Sequence, residues 1–378
     1  MLSWFSSWSW TSLGSIVAAV GVLALLIVVH EAGHFAAARC QGIHATRFSI
    51  GFGPALWRYQ GSHTEYTLRL LPLGGYVGFP DEDEESPFDP RDPDLLRNRP
   101  LLDRAVVLAA GVLANLLFAY AALVVMTATV GIPVQTFAPG IRVPQVTLAS
   151  PAAQAGIQPG DIIVAARSAD QTLSFDQIHD LAQANQAIQE LQGLVRQGSP
   201  LELVVQRSDQ EQVIAVVPEA TDRGPVIGVG LEVNDTTMFR PARDPAEILK
   251  EAARVYEGIV WMNLRGLQQL LTNFGHAAGQ LAGPVGIVKI GADIAQSGAV
   301  QLYHFAALIS INLAILNLLP LPALDGGHLA FLLIEAVRGK RLPKNLEERV
   351  MQTGLVFFLG LGVVLILKDS VTIAMSAG

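Results

Sequence analysis

The sequence predicts a multi-span α-helical membrane protein carrying one soluble insertion, and three observations support that class. Of 378 residues, 51% are hydrophobic and only 15% are charged, against about 25% charged in a typical soluble domain. Mean hydropathy is +0.40. The apolar residues fall into four nearly charge-free blocks rather than being spread along the chain. The same composition argues against a disordered chain and an ordinary cytosolic enzyme. A net charge of −8 with no Lys/Arg stripe argues against a nucleic-acid partner. The lone Cys40 rules out an intrachain disulfide and a cysteine-cluster metal site.

The first block runs from Leu13 to Val29 and continues with little charge to Ala38. Ala105–Val130, Phe305–Leu324 and Val350–Leu367 are the others. About 20 apolar residues cross a bilayer, so four transmembrane helices are expected. Met1–Thr11 contains no Lys or Arg, unlike the basic leader of a signal peptide. Residues 39–104 carry eight Arg, and 338–349 carry Arg338, Lys340, Arg341, Lys344 and Arg349. The excess of basic residues in these loops places them in the cytosol and both termini outside. Segment 131–300 then lies outside as well.

The expected organisation is a membrane part over 1–130, a soluble domain over 131–235, a linker or membrane-associated segment over 236–300, and a second membrane part over 301–378. In the soluble part, Val143–Ala166 reads strand, turn, strand. Ser174–Gln197 reads as a helix, and Leu201–Gln206 with Gln212–Val217 as a hairpin. The run Ala155-Gly156-Ile157-Gln158-Pro159-Gly160-Asp161-Ile162-Ile163 resembles a PDZ domain. Such domains bind extended peptides by strand addition. Pro245–Phe274 has helical periodicity with mixed charge, suiting an amphipathic helix on the outer membrane face or a plain linker helix. Residues 81–94 hold eight acidic residues and read as a solvated cytosolic loop.

The chemistry is concentrated in His30-Glu31-Ala32-Gly33-His34. Residues four apart share a helix face, so both imidazoles can reach one zinc ion while Glu31 lies beside the water that zinc acidifies. The motif sits at the cytosolic end of a span, where ionisable groups are costly and functional by default. A hydrolytic zinc site needs a third protein ligand. Asp325 is the candidate, because the third span runs outside to inside and ends at the same depth. His328 is the rival. Pro320 and Pro322 interrupt that helix, as is tolerated where a cavity is lined. Asn115, Asn312 and Asn317 are amides in apolar helices, read either as interhelical hydrogen bonds or as groups that grip a substrate backbone or an oxyanion.

Together His30–His34, Ala110-Gly111-Val112-Leu113-Ala114-Asn115, Ser310-Ile311-Asn312-Leu313 and Asn317–Gly327 resemble the site-2 protease family, intramembrane zinc metalloproteases, in its bacterial regulator-of-sigma-E form. The resemblance covers nearly the whole chain. It implies Zn2+ held by His30, His34 and Asp325, with Glu31 as general base. It also implies cleavage of single-span membrane substrates, such as an anti-sigma factor, usually after another protease has trimmed them. A pre-cleaved substrate or peptide at the PDZ domain and the lipid bilayer are the further partners. A bacterial inner membrane is the implied location, and a plastid membrane the alternative. Val112 stands where many relatives have Pro. Arg47–Leu56 and Thr64–Val77 read as strands of a re-entrant β-hairpin, as in that family. Two other classes compete: an ion-relaying transporter, disfavoured by the lack of an internal repeat, and a catalytically inactive membrane-anchored PDZ scaffold, disfavoured by the intact Glu31 and ligand set.

Overall fold

The computed structural model describes residues 10–82, 87–169, 171–208, 210–221, 224–273, 275 and 281–376. Met1–Ser9 of the amino-terminal tail, 83–86 of the acidic run, Asp209 of the hairpin turn, Phe274 and His276 lie outside the described residues. The chain divides into two units, Met1–Val130 with Ala242–Gly378, and Gly131–Pro241.

In the first unit, helix α1 spans Trp10–Cys40 and α2 spans Leu101–Val130. Between them lie β1 (Arg47–Gln60) and β2 (Glu65–Gly78). These strands fold on themselves. Arg47–Ile50 pairs with Gly75–Gly78 in opposite direction and with Glu65–Leu68 in parallel, while Trp57–Gln60 pairs with Glu65–Leu68. The expected simple hairpin is therefore a small sheet of four segments, with Gly75–Gly78 at one edge. Gly51 and Gly53 take positive φ (85° and 86°) where β1 turns, a conformation that favours glycine.

After the second unit come α5 (Pro245–Thr272), α6 (Pro284–Ser297), α7 (Ala299–Leu318), α8 (Asp325–Arg338) and α9 (Lys344–Ser376). Among the described residues, four helices are long and apolar enough to cross a membrane: Leu13–Cys40, Leu101–Val130, Val300–Leu318 and Asn345–Met375. The third apolar block was expected to run to Leu324, yet its helix stops at Leu318, before Pro320 and Pro322. Proline removes a helix donor and clashes with the preceding turn.

Small residues set how the helices meet. A Cβ on Gly33 would lie 2.4 Å from the Ala110 carbonyl oxygen and 2.7 Å from Ala114 Cβ, so α1 and α2 approach at a contact only glycine permits. Helix α5 seals the other side of α2. Its Ala252 and Ile259 are buried with Ala119, Leu123, Met126, Ala307 and Ile311. Asp369 of α9 accepts hydrogen bonds from the amides of Gly283 and Gly286 (3.2 and 2.7 Å). It thereby caps α6 from another helix, with its negative charge at the helix's positive end.

The second unit is an antiparallel sheet of order β10-β3-β4-β6-β7, with β5 also paired to β4, and a separate two-stranded ribbon β8-β9. The strands are β3 (Ile132–Arg142), β4 (Ile162–Arg167), β5 (Thr172–Ser174), β6 (Leu201–Arg207), β7 (Gln210–Val216), β8 (Glu219–Thr221), β9 (Gly224–Val226) and β10 (Glu232–Arg240). First and last strands pair, Ile132 against Arg240, so the unit's ends lie side by side. Its helices are α3 (Pro151–Ala155) and α4 (Leu181–Arg196). Within the stretch read as strand, turn, strand, Pro151–Ala155 forms a short helix, because Ser150 accepts the Ala153 amide and Pro151 fits the first helical position. Helix α4 begins seven residues later than periodicity suggested, after Asp180, whose side chain accepts the Gln183 amide. Phe175, Leu191, Leu203 and Val205 are fully buried at its core, each contributing about 1.5–3 kcal/mol.

Candidate active site

His30 and His34 lie one turn apart on α1, and α8 brings Asp325 to them from far along the chain. His30 Nε2 and His34 Nε2 stand 3.2 Å apart. Asp325 Oδ2 lies 3.1 Å from the first and 3.4 Å from the second. Zinc bonds of about 2.0–2.1 Å in tetrahedral geometry hold ligand atoms about 3.3–3.4 Å from one another. The observed triangle has that size. Asp325 Oδ2 is buried with no donor aligned to it among the described residues, an orphan that a cation would satisfy.

The surroundings orient the rings. His34 Nδ1 donates to the Val107 carbonyl at 2.8 Å, which leaves the lone pair on Nε2 facing the other two candidate ligand atoms. Gly111 provides the space. A Cβ there would lie 2.3 Å from His34 Nε2 and 2.8 Å from His30 Cε1. Asp325 owes its position to a forced reversal. Ala323 adopts φ 67°, and a Cβ on Gly326 would lie 2.1 Å from the Leu319 carbonyl oxygen. A Cβ on Gly327 would likewise lie 2.4 Å from the Leu321 carbonyl oxygen, so the two glycines let the chain double back after α7. Asp325 then opens α8, whose amino-terminal end favours an anion.

Glu31 faces the small sheet. A Cβ on Gly75 would lie 2.9 Å from Glu31 Cγ and 2.9 Å from the Ser49 carbonyl oxygen. The expected catalytic carboxylate therefore touches the sheet's edge segment. Asn317, at the end of α7, holds its amide nitrogen 3.5 Å from His30 Nε2. Asn312 is half-buried and five residues back, about 140° around the helix from Asn317. Asn115 is fully buried, with its amide nitrogen 3.4 Å from His30 Nδ1. His328 turns away from the ligand triangle. Its Nδ1 is 3.5 Å from Glu347 Oε1, and the side chain is 41% exposed.

Sequence reasoning did not find the Val107 carbonyl, Gly75 as a contact of Glu31, or the role of Gly111. Gly111 lies within the run Ala110–Asn115, but nothing local says that it faces two histidines. The acidic run is also more engaged than a solvated loop. Asp94 pairs with Arg99, Asp81 accepts the Arg97 amide, and Asp92 lies 3.4 Å from His44.

The model of peptidase family M50 matches residues 18–361. A Nostoc sp. protein named "Putative zinc metalloprotease" is 50% identical over 94% of this chain and 96% of its own length. A Synechocystis protein of the same description is 48% identical over 94% of each. The chloroplastic membrane metalloprotease ARASP of Arabidopsis thaliana is 42% identical over 96% of this chain and 80% of its own. With a match across most of its length and relatives of this identity, the chain belongs to peptidase family M50, the site-2 proteases, a family of zinc-dependent metallopeptidases.

Proposed function

We propose that the protein is an intramembrane zinc protease that cleaves transmembrane segments of single-span membrane proteins near the cytosolic face. The observation that carries this reading is the convergence of His30, His34 and Asp325 within 3.1–3.4 Å of one another, beside Glu31, in a membrane-length apolar helix. His30 lies about 26 Å along α1 from Leu13, close to the roughly 30 Å thickness of the hydrocarbon core. Basic residues concentrated in 39–104 and 338–349 put that end of the helix in the cytosol, with both termini and the 131–241 unit outside. A bacterial inner membrane fits this orientation.

In this reading His30, His34 and Asp325 hold the zinc. Zinc, when bound, supplies Lewis-acid polarisation and acidifies the attacking water. Glu31 takes a proton from that water as its oxygen bonds to the scissile carbonyl carbon. Glu31 then delivers the proton to the amide nitrogen as the C–N bond breaks. The Asn317 amide donates toward the oxygen that gains negative charge.

A helical substrate hides its carbonyls in its own hydrogen bonds, so it must be held extended. The Gly75–Gly78 edge suits strand addition, and its contact with Glu31 delivers the added strand to the base. Exposed Phe52, Leu56, Trp57, Tyr59, Leu70 and Leu71 on the sheet support a re-entrant element dipping into lipid. The outer unit is read as a PDZ-type peptide binder, since its edge strand β10 runs beside α4. Membrane-anchored regulators such as anti-sigma factors are the substrate class this arrangement serves.

The test is Glu31→Gln in the full chain, co-expressed with a single-span membrane substrate. Zinc content should stay at about one per chain while the uncut substrate accumulates. If Glu31→Gln and His30→Ala both cleave at the parent rate, the reading fails.

A further inference from the structure

Asn115 is a fully buried polar side chain beside the candidate zinc site. It is 0% exposed, and its Oδ1 is without a hydrogen-bond partner among the described residues. No extended substrate can reach a side chain so enclosed. Its backbone is fixed, because the Ser310 hydroxyl of α7 donates to the Asn115 carbonyl at 2.8 Å, and Ser310 is itself fully buried. The Asn115 amide is directed at His30, on the side of the ring opposite the ligand triangle. Its nitrogen lies 3.4 Å from His30 Nδ1, while His30 Nε2 faces Asp325 and His34.

These placements create a pairing problem with one economical solution. If Nε2 carries the metal, the ring proton must sit on Nδ1, and Nδ1–H then needs an acceptor. An amide nitrogen is not one. The unpartnered Oδ1 of the same amide is, and a half-turn of the side-chain amide brings it to Nδ1. That rotation satisfies a buried donor and a buried acceptor together. His34 already has the equivalent arrangement, with Nδ1 donating to the Val107 carbonyl.

We infer that Asn115 is a positioning residue for His30: its Oδ1 accepts the Nδ1 proton and thereby fixes the ring and tautomer that present Nε2 to zinc. The inference rests on the reading that His30, His34 and Asp325 hold zinc. It replaces a substrate-gripping role for Asn115 with one directed at the metal site. Partners of ligating histidines typically change metal affinity by about 10–100-fold when removed.

The experiment measures zinc affinity by chelator competition on the purified full-length protein in detergent, for the parent, Asn115→Leu, Asn115→Asp and His30→Ala. Cobalt-substituted absorption spectra report the ligand field. Asn115→Leu should bind zinc about 10–100-fold more weakly and shift the cobalt spectrum. Asn115→Asp, which keeps an acceptor oxygen, should stay within about threefold of the parent in the same assay. Parent-like affinity in Asn115→Leu overturns the inference, as does an equal loss in Leu and Asp variants, which would mean packing alone. His30→Ala separates the two claims. If it binds zinc like the parent, the zinc assignment itself fails. If it loses zinc while Asn115→Leu does not, only the role of Asn115 fails.

Discussion

Replacing Gly111 with alanine tests how closely the histidines depend on α2. By helix propensity alone the change should stabilise a helix by up to about 1 kcal/mol. Here the new methyl carbon would stand 2.3 Å from His34 Nε2, 2.7 Å from His34 Cε1 and 2.8 Å from His30 Cε1. Ordinary contact needs about 3.5 Å, so the rings or the helix must retreat by about 1 Å. Overpacking of this kind costs about 1–3 kcal/mol, for a net loss of about 0–2 kcal/mol once propensity is credited. The protein should therefore still fold. Activity should fall much further, since a 1 Å misplacement at a reacting centre costs about 100-fold. The assay is the cleavage rate of a reconstituted single-span substrate at saturating zinc, with thermal unfolding of the same preparation. Gly362→Ala is the control, because a Cβ there meets nothing within 4 Å. Parent-like cleavage by Gly111→Ala would refute the argument that this glycine sets the ligand triangle.

Gly75→Val should place side-chain atoms against Glu31 Cγ and the Ser49 carbonyl, both already 2.9 Å from a bare Cβ. Cleavage should drop at least tenfold while bound zinc, measured by mass spectrometry, is retained. In the outer unit, burial opposes ionisation of Asp161, but Arg207, bonded to both its oxygens at 2.7 Å, holds the carboxyl below its ordinary range. A lowered folded pKa adds stability that is present above the unfolded value of about 3.9 and lost as pH falls through the lower folded one. Amide protection factors across 131–241, corrected for the pH dependence of intrinsic exchange, should therefore fall below about pH 4 in the parent, and Asp161→Asn should flatten that dependence.

What could be read from the sequence was what repeats or concentrates locally. His30 and His34 are four apart, so the helix period alone puts them on one face. Asp325 is singled out by counting spans and directions, and its Oδ2 lies 3.1 and 3.4 Å from the two imidazoles. The end of the third apolar block was misjudged because its residues stay apolar to Leu324, while Pro320 and Pro322 end the helix earlier. The pairing of β3 with β10 joins residues about a hundred positions apart, and no local pattern encodes such a partner. The doubled pairing of Arg47–Ile50 was hidden for the same reason. Gly33, Gly111 and Asn115 were visible as residues, but their contacts arise only when α1 meets α2. A lone amide in an apolar helix reads equally well as a substrate grip, and only its burial and the direction of His30 Nδ1 separate the two roles.

The central claim is that His30, His34 and Asp325 hold one zinc ion. X-ray absorption at the zinc edge of the purified full chain tests it most directly. The account predicts two imidazole nitrogens at about 2.0–2.1 Å with the remaining ligands oxygen, and loss of one imidazole contribution in His34→Ala. A spectrum with sulfur ligation, or one unchanged by His34→Ala, would contradict it.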